Sequence, residues 1–99
     1  DHAVALEALA LALIADRNGA SYDPAESIIV GQRACEVTDN KNARMLNSLS
    51  MAYTAAGRFD DAVSTAEKAI DVANSSGKKK LAEQISNRLL LLKAERKSL

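Results

Sequence analysis

The stretch Ala56–Ile70, AGRFDDAVSTAEKAI, decides how this chain folds. Gly57 ends the helix before it, because glycine takes up a left-handed helix cap without steric cost. Phe59-Asp60-Asp61 then opens a new helix, with two carboxylates in the first turn, where the helix dipole favours negative charge. Behind them Ala62, Ala66 and Ala69 recur at helical spacing. Side chains that small let the preceding helix approach closely, so that Leu49 and Tyr53 fill the space between the two. This is a packing code. Asp60 and Asp61 complement a helix dipole and do not form a catalytic carboxylate pair.

On either side, the scarce glycines and the single proline punctuate stretches of helical periodicity. A third helix carries Met45, Leu46, Leu49, Ala52 and Tyr53 up to Gly57, and the fourth runs from Phe59 to Asn74 before Ser75-Ser76-Gly77 breaks it. A fifth spans Lys78 to Arg96, with Leu81, Ile85, Leu89 and Leu92 on its seam. Upstream, Asp23-Pro24-Ala25-Glu26 supplies an N-cap, a proline at the first helical position and a Glu placed to close a capping box. A second helix therefore runs from Pro24 to Thr38, followed by the polar turn Asp39-Asn40-Lys41-Asn42. The first helix, His2 to Arg17, puts Leu6, Leu9, Leu13 and the smaller Ala10 on one stripe and stops at Asn18-Gly19.

Five helices joined by short turns contain an internal repetition. Leu6, Leu9, Ala10 and Leu13 correspond to Leu46, Leu49, Ser50 and Tyr53, while Ser27, Gly31 and Ala34 correspond to Ala62, Ala66 and Ala69. The first hairpin has an insertion at Asn18 to Asp23, which is expected to protrude. The spacing of large and small residues in the second hairpin, above all in Ala56–Ile70, resembles the tetratricopeptide repeat. Leu46 stands in place of the usual Trp, Ala66 in place of an aromatic residue, and Asn74 where Pro is common. The resemblance implies an all-α, TPR-like α-solenoid of two helical hairpins plus a C-terminal capping helix. Its parts are an elongated repeat over residues 3–41, a standard repeat over 43–76 and the cap over 78–97. The run Gln32–Thr38, leading through a polar turn into the standard repeat, further resembles the terminal repeats of long bacterial tetratricopeptide proteins.

Composition narrows the function classes. The chain has 99 residues, room for one modest core, and its aromatic content of 3% suits helix-on-helix packing better than a β-sandwich. Thirteen basic residues balance thirteen acidic ones, so the whole-chain charge of a nucleic-acid binder is missing. One cysteine, Cys35, and one histidine, His2, leave no thiolate or imidazole cluster for a metal, and no phosphate loop or nucleophile elbow occurs. Neither a cofactor nor a catalytic activity is expected. Cys35 falls on the inner stripe of the second helix, where a buried structural thiol is expected. Gly31, in mid-helix, is explained by close approach of a neighbouring helix. No apolar run reaches the length of a bilayer span, so membrane contact is not expected of this stretch. The start at Asp1, with a helix that is hydrophobic at once, points to a piece of a longer protein.

The repeat resemblance implies a concave surface on the first helix of each hairpin, where partner peptides bind. Val4, Glu7, Leu11 and Ile14 would contribute from the first repeat, and Arg44, Asn47, Met51 and Thr54 from the second. Glu7 and Leu11 occupy places where a clamp for chaperone tails needs Lys and Asn, so that ligand does not fit. The expected function is a non-catalytic protein–protein interaction module with a peptide or protein partner. The alternatives are a purely structural or oligomerising segment and a regulatory appendage of an upstream enzyme such as a glycosyltransferase. Residues 1–77 carry eleven acidic and six basic side chains, residues 78–99 seven basic and two acidic. The basic last helix reads as a solvated face, or as a surface for an acidic partner, anionic lipid or nucleic acid, though it has no aromatic residue to stack on bases. The first helix, apolar nearly all round, is expected to associate with a second copy.

Overall fold

The computed structural model describes residues 2–98 and shows, over them, five α-helices and no strand. They are α1 (His2–Ala15), α2 (Pro24–Val37), α3 (Ala43–Ala55), α4 (Phe59–Ser75) and α5 (Lys79–Lys97). Each helix packs on the next in chain order; in addition α1 packs on α3, and α3 on α5. The arrangement is a slab of 38 × 38 × 18 Å, about two helix diameters thick.

Local chemistry sets the helix ends close to where the sequence places them. The Asp23 carboxylate accepts from the Glu26 amide at 3.1 Å, and the Asn42 side chain accepts from the amides of Arg44 and Met45. These contacts satisfy amides that the first turn of a helix leaves without partners. Gly57 and Gly77 sit at φ +77° and +74°, with Arg58 N–H donating to Tyr53 O at 2.9 Å and Lys78 N–H to Ala73 O at 2.8 Å. Both are Schellman closures, and both place the next helix directly behind them. The α2–α3 turn reaches the same left-handed region with Asp39 (φ 54°) and Asn40 (φ 57°), and Asn40 N–H donates to Cys35 O at 2.8 Å. Aspartate and asparagine tolerate that conformation better than most other residues.

All five helices contribute to the main apolar cluster, and a smaller one, Ala43, Ala73 and Ala82, adjoins it through Ile70, Val72 and Leu81. The centre of the main cluster is the seam between α3 and α4, where Leu49 and Tyr53 lie buried against Ala62, Ala66 and Ala69. Two serines lie within this packing at 0% exposure. Ser27 Oγ donates to Ala10 O across α1 and α2, and Ser50 Oγ donates to Ala62 O across α3 and α4, each at 2.7 Å. Gly31 on α2 faces Leu49 so closely that an added Cβ would lie 3.3 Å from its Cδ1, the close approach the sequence requires of a mid-helix glycine.

Three expectations need correction. The first helix, expected to run to about Arg17, ends at Ala15, because Asp16 leaves the helix, where its side chain accepts from Asn18 N–H at 3.0 Å and its carbonyl from Gly19 N–H at 2.9 Å. Its buried face is Ala3, Glu7 and Ala10; Leu6 and Leu13 are half-buried and Leu9 is 48% exposed. A helix that is apolar on every side gives no periodic signal for its inner face, and here the Ser27–Ala10 bond and the burial of Glu7 set it. The insertion from Asn18 to Asp23 is mostly exposed, but Tyr22 is half-buried and lines a cavity with Phe59.

Ala62 and Ala69 are both fully buried in the α3–α4 seam. Ala62→Leu or Ala69→Leu is expected to lower unfolding free energy by about 1–3 kcal/mol through overpacking. Urea denaturation checks this, and an unchanged midpoint would rule the packing out.

Candidate functional site

Eight side chains were expected to share one concave face; the structure pairs three of them with other helices, sets three around a cavity and leaves Val4 and Leu11 outside both groups. Glu7 and Arg44 pair with each other. Arg44 Nε lies 3.1 Å from Glu7 Oε1 and donates to Oε2 at 3.2 Å, and Ser48 Oγ donates to Oε2 at 2.9 Å. The Glu7 side chain is only 10% exposed, while that of Arg44 is 55% exposed. The carboxylate therefore sits in the α1–α3 interface with a charged and a neutral donor, as a buried charge requires. Asn47 is likewise occupied, its Oδ1 accepting from Arg88 Nη2 at 2.7 Å. These three join helices, Glu7 and Arg44 linking α1 to α3 and Asn47 linking α3 to α5.

Ile14, Met51 and Thr54 form the second group. They line a cavity of about 360 Å³ together with Ala55 of α3 and Arg88, Leu91, Leu92 and Glu95 of α5. Most of its wall is apolar, with one cation and one carboxylate, the mix that suits a small recognition pocket. Leu11 is half-buried and Val4 exposed, and neither lines this cavity. A second cavity of about 450 Å³ adjoins it through Ile14, Thr54, Ala55 and Glu95, and is extended by Arg17, Tyr22 and Phe59.

Four lining residues, Arg88, Leu91, Leu92 and Glu95, lie on α5, a helix outside the expected concave face. The run Leu90-Leu91-Leu92 carried the signal, because three consecutive leucines cannot all face one buried seam. Leu92 is buried, whereas Leu90 and Leu91 are 68% and 67% exposed. Arg88 is half-buried and donates through Nη2 to Asn47 Oδ1 and to Ser50 Oγ at 3.0 Å. Its Nε is buried with no hydrogen-bond partner, and burial pulls the guanidinium pKa down from its ordinary value.

The basic character of α5 is partly consumed inside the molecule. Arg96 Nη1 meets Asp60 at 3.2 Å and Lys93 Nζ meets Glu67 at 3.9 Å, both on α4. These are solvent-exposed pairs and add little stability. Among the described residues no group of three His, Cys, Asp or Glu side chains converges as a metal site would need, and no helix is long and apolar enough to cross a membrane. Against protein-family models, curated proteins and solved structures, the chain finds no match.

Cys35 lies on the inner face of α2 at 2% exposure, and burial pushes its thiol up to about 11. A native thiol so placed is expected to resist an aromatic disulfide reagent at pH 8 and to react once urea unfolds the chain. Because the folded pKa is raised, the thiol's contribution is intact below the unfolded value near 9.0 and is lost as pH rises towards 11. Denaturation at pH 8 and pH 11 should therefore show a larger drop for the native chain than for Cys35→Ala. Equal drops would contradict the assignment.

Proposed function

We propose that this chain is a non-catalytic protein-interaction module, a TPR-like α-solenoid whose α1, α3 and α5 lie side by side and present a peptide-binding groove. The observation that carries the reading is the apolar cavity of about 360 Å³ to which those three helices, and neither α2 nor α4, contribute. Helix order supports it as well: α3 packs on both α1 and α5, the pattern that stacked hairpins produce. So do the matching Ser–carbonyl bonds, Ser27 to Ala10 in one hairpin and Ser50 to Ala62 in the other, at aligned positions. In this reading residues 3–41 and 43–76 are the two repeats, and α5 contributes to the groove besides closing the array.

Met51 and Leu91 face the cavity and are exposed, so polar replacements there leave the core untouched. Peptides selected on the native chain are expected to lose at least about tenfold in affinity for Met51→Asp and Leu91→Asp, close to 1.4 kcal/mol. Circular dichroism should show both variants folded. Affinities unchanged in both would end the groove reading.

A second reading, self-association through α1, is favoured by the surface of that helix. Leu9 is 48% exposed and shares an outward stripe with the exposed Ala5 and Ala12, while the one charge between His2 and Ala15, Glu7, is buried. Leu49, at the matching position of the second hairpin, is covered by Gly31 of the preceding helix, whereas Leu9 has no such cover among the described residues. Two copies placing α1 against α1 would supply it. Sedimentation equilibrium is expected to detect dimers in the native chain and only monomers in Leu9→Glu; a native chain that stays monomeric at high concentration removes this reading.

A further inference from the structure

The cavity between α1, α3 and α5 holds two charges that the described part of the chain does not neutralise. Arg88 and Glu95 both line it and stand seven residues apart on α5. Seven residues are two turns of helix, so the two side chains project from the same face about 10 Å apart. The acceptors of Arg88, Asn47 and Ser50, are neutral, and its buried Nε has none. Among the described residues no carboxylate lies within 4 Å of Arg88, whereas Arg44 and Arg96, which also bridge helices, each meet one. No cation lies within 4 Å of the Glu95 carboxylate among them either; Arg17 lines only the adjoining cavity. Between the two charges the wall is apolar, with Leu91 and Leu92 on α5 and Met51 and Ile14 opposite.

A half-buried guanidinium held only by neutral acceptors loses hydration without gaining an ionic partner, and an incoming carboxylate that docks on it offsets that loss. We propose that the cavity binds a peptide segment with one acidic and one basic residue about 10 Å apart and an apolar side chain between them, the acid meeting Arg88 and the base meeting Glu95. The proposal rests on the groove reading above and adds the charge pattern of the partner. The apolar side chain enters between Leu91 and Met51 and supplies the area burial, while the two charges fix orientation and exclude segments with like charges at both ends.

Panning a displayed library of random peptides, about twelve residues long, against the native chain tests it. The expected consensus is acid, apolar, base. Panning on Glu95→Lys should convert the basic position to an acidic one, and panning on Arg88→Glu should convert the acidic position to a basic one. A synthetic consensus peptide should bind Glu95→Lys at least about tenfold more weakly than the native chain, and the version with two acids should restore the loss. Arg88→Glu also removes the bonds to Asn47 and Ser50, so Glu95→Lys, at an exposed residue, decides the matter if the former fails to fold. Peptides that depend on Met51 and Leu91 but show no charge pattern, or a pattern unmoved by Glu95→Lys, overturn the proposal and leave the groove reading intact. Selection of no peptide sensitive to Met51→Asp or Leu91→Asp overturns both.

Discussion

Ser27 and Ser50 set the distance between the helices of each hairpin. Each hydroxyl is fully buried and donates across the hairpin to a backbone carbonyl, that of Ala10 and that of Ala62, at 2.7 Å. Such a bond forms only if the two backbones come close, and closeness in turn demands alanine or glycine at the neighbouring contacts. Ala62, Ala66 and Ala69 meet that demand on α4, while Gly31 on α2 faces Leu49 and so lets α3 approach from the other side. A buried hydroxyl without a partner would cost on the order of 1–3 kcal/mol, so the bonds and the small residues depend on each other. The two hairpins assign donor and acceptor to opposite helices: the serine lies on the second helix in one and on the first helix in the other. Either placement gives the same spacing.

With the hairpins held this way, the interface along α1, α3 and α5 is left for polar side chains to organise. Glu7, Arg44 and Ser48 join α1 to α3, and Arg88 with Asn47 and Ser50 joins α5 to α3. Ser50 belongs to both systems, since its oxygen donates to Ala62 and accepts from Arg88. The contact that sets hairpin spacing thus also positions the cation at the mouth of the cavity. Apolar residues not consumed in the core, Met51 and Leu91, complete the wall.

Most of the helical framework was legible because punctuation and packing code are local. Asp23-Pro24, Asn42, Gly57 and Gly77 act within a few residues of themselves, and small residues at helical spacing announce a close neighbour. The inner face of α1 was not legible, since a helix almost wholly of apolar residues carries little contrast between its sides and its one carboxylate, Glu7, faces inward. Of the expected groove residues, Ile14, Met51 and Thr54 line the cavity, while Glu7, Arg44 and Asn47 are tied to other helices. Whether a polar side chain is free or paired depends on what lies across the interface, often some forty positions away in sequence, and spacing does not encode that. Arg88 was missed for the same reason: its partners are on α3, and nothing adjacent to it in sequence predicts them.

The central place of α3 has a consequence for how the molecule comes apart. α3 packs on all four other helices, whereas α1 rests only on α2 and α3, and α5 only on α4 and α3. Opening at either end therefore sacrifices one helix's contacts and leaves the remainder assembled, while loss of α3 disconnects every layer at once. Amides of α3 are the ones whose exchange with solvent requires global unfolding, and those of α1 and α5 exchange through partial opening. The cavity straddles this gradient, with one wall on the most durable helix and the others on the two terminal helices. A ligand held there would tie both terminal helices to the centre, so its binding free energy would slow the exchange of the chain's ends more than that of its middle.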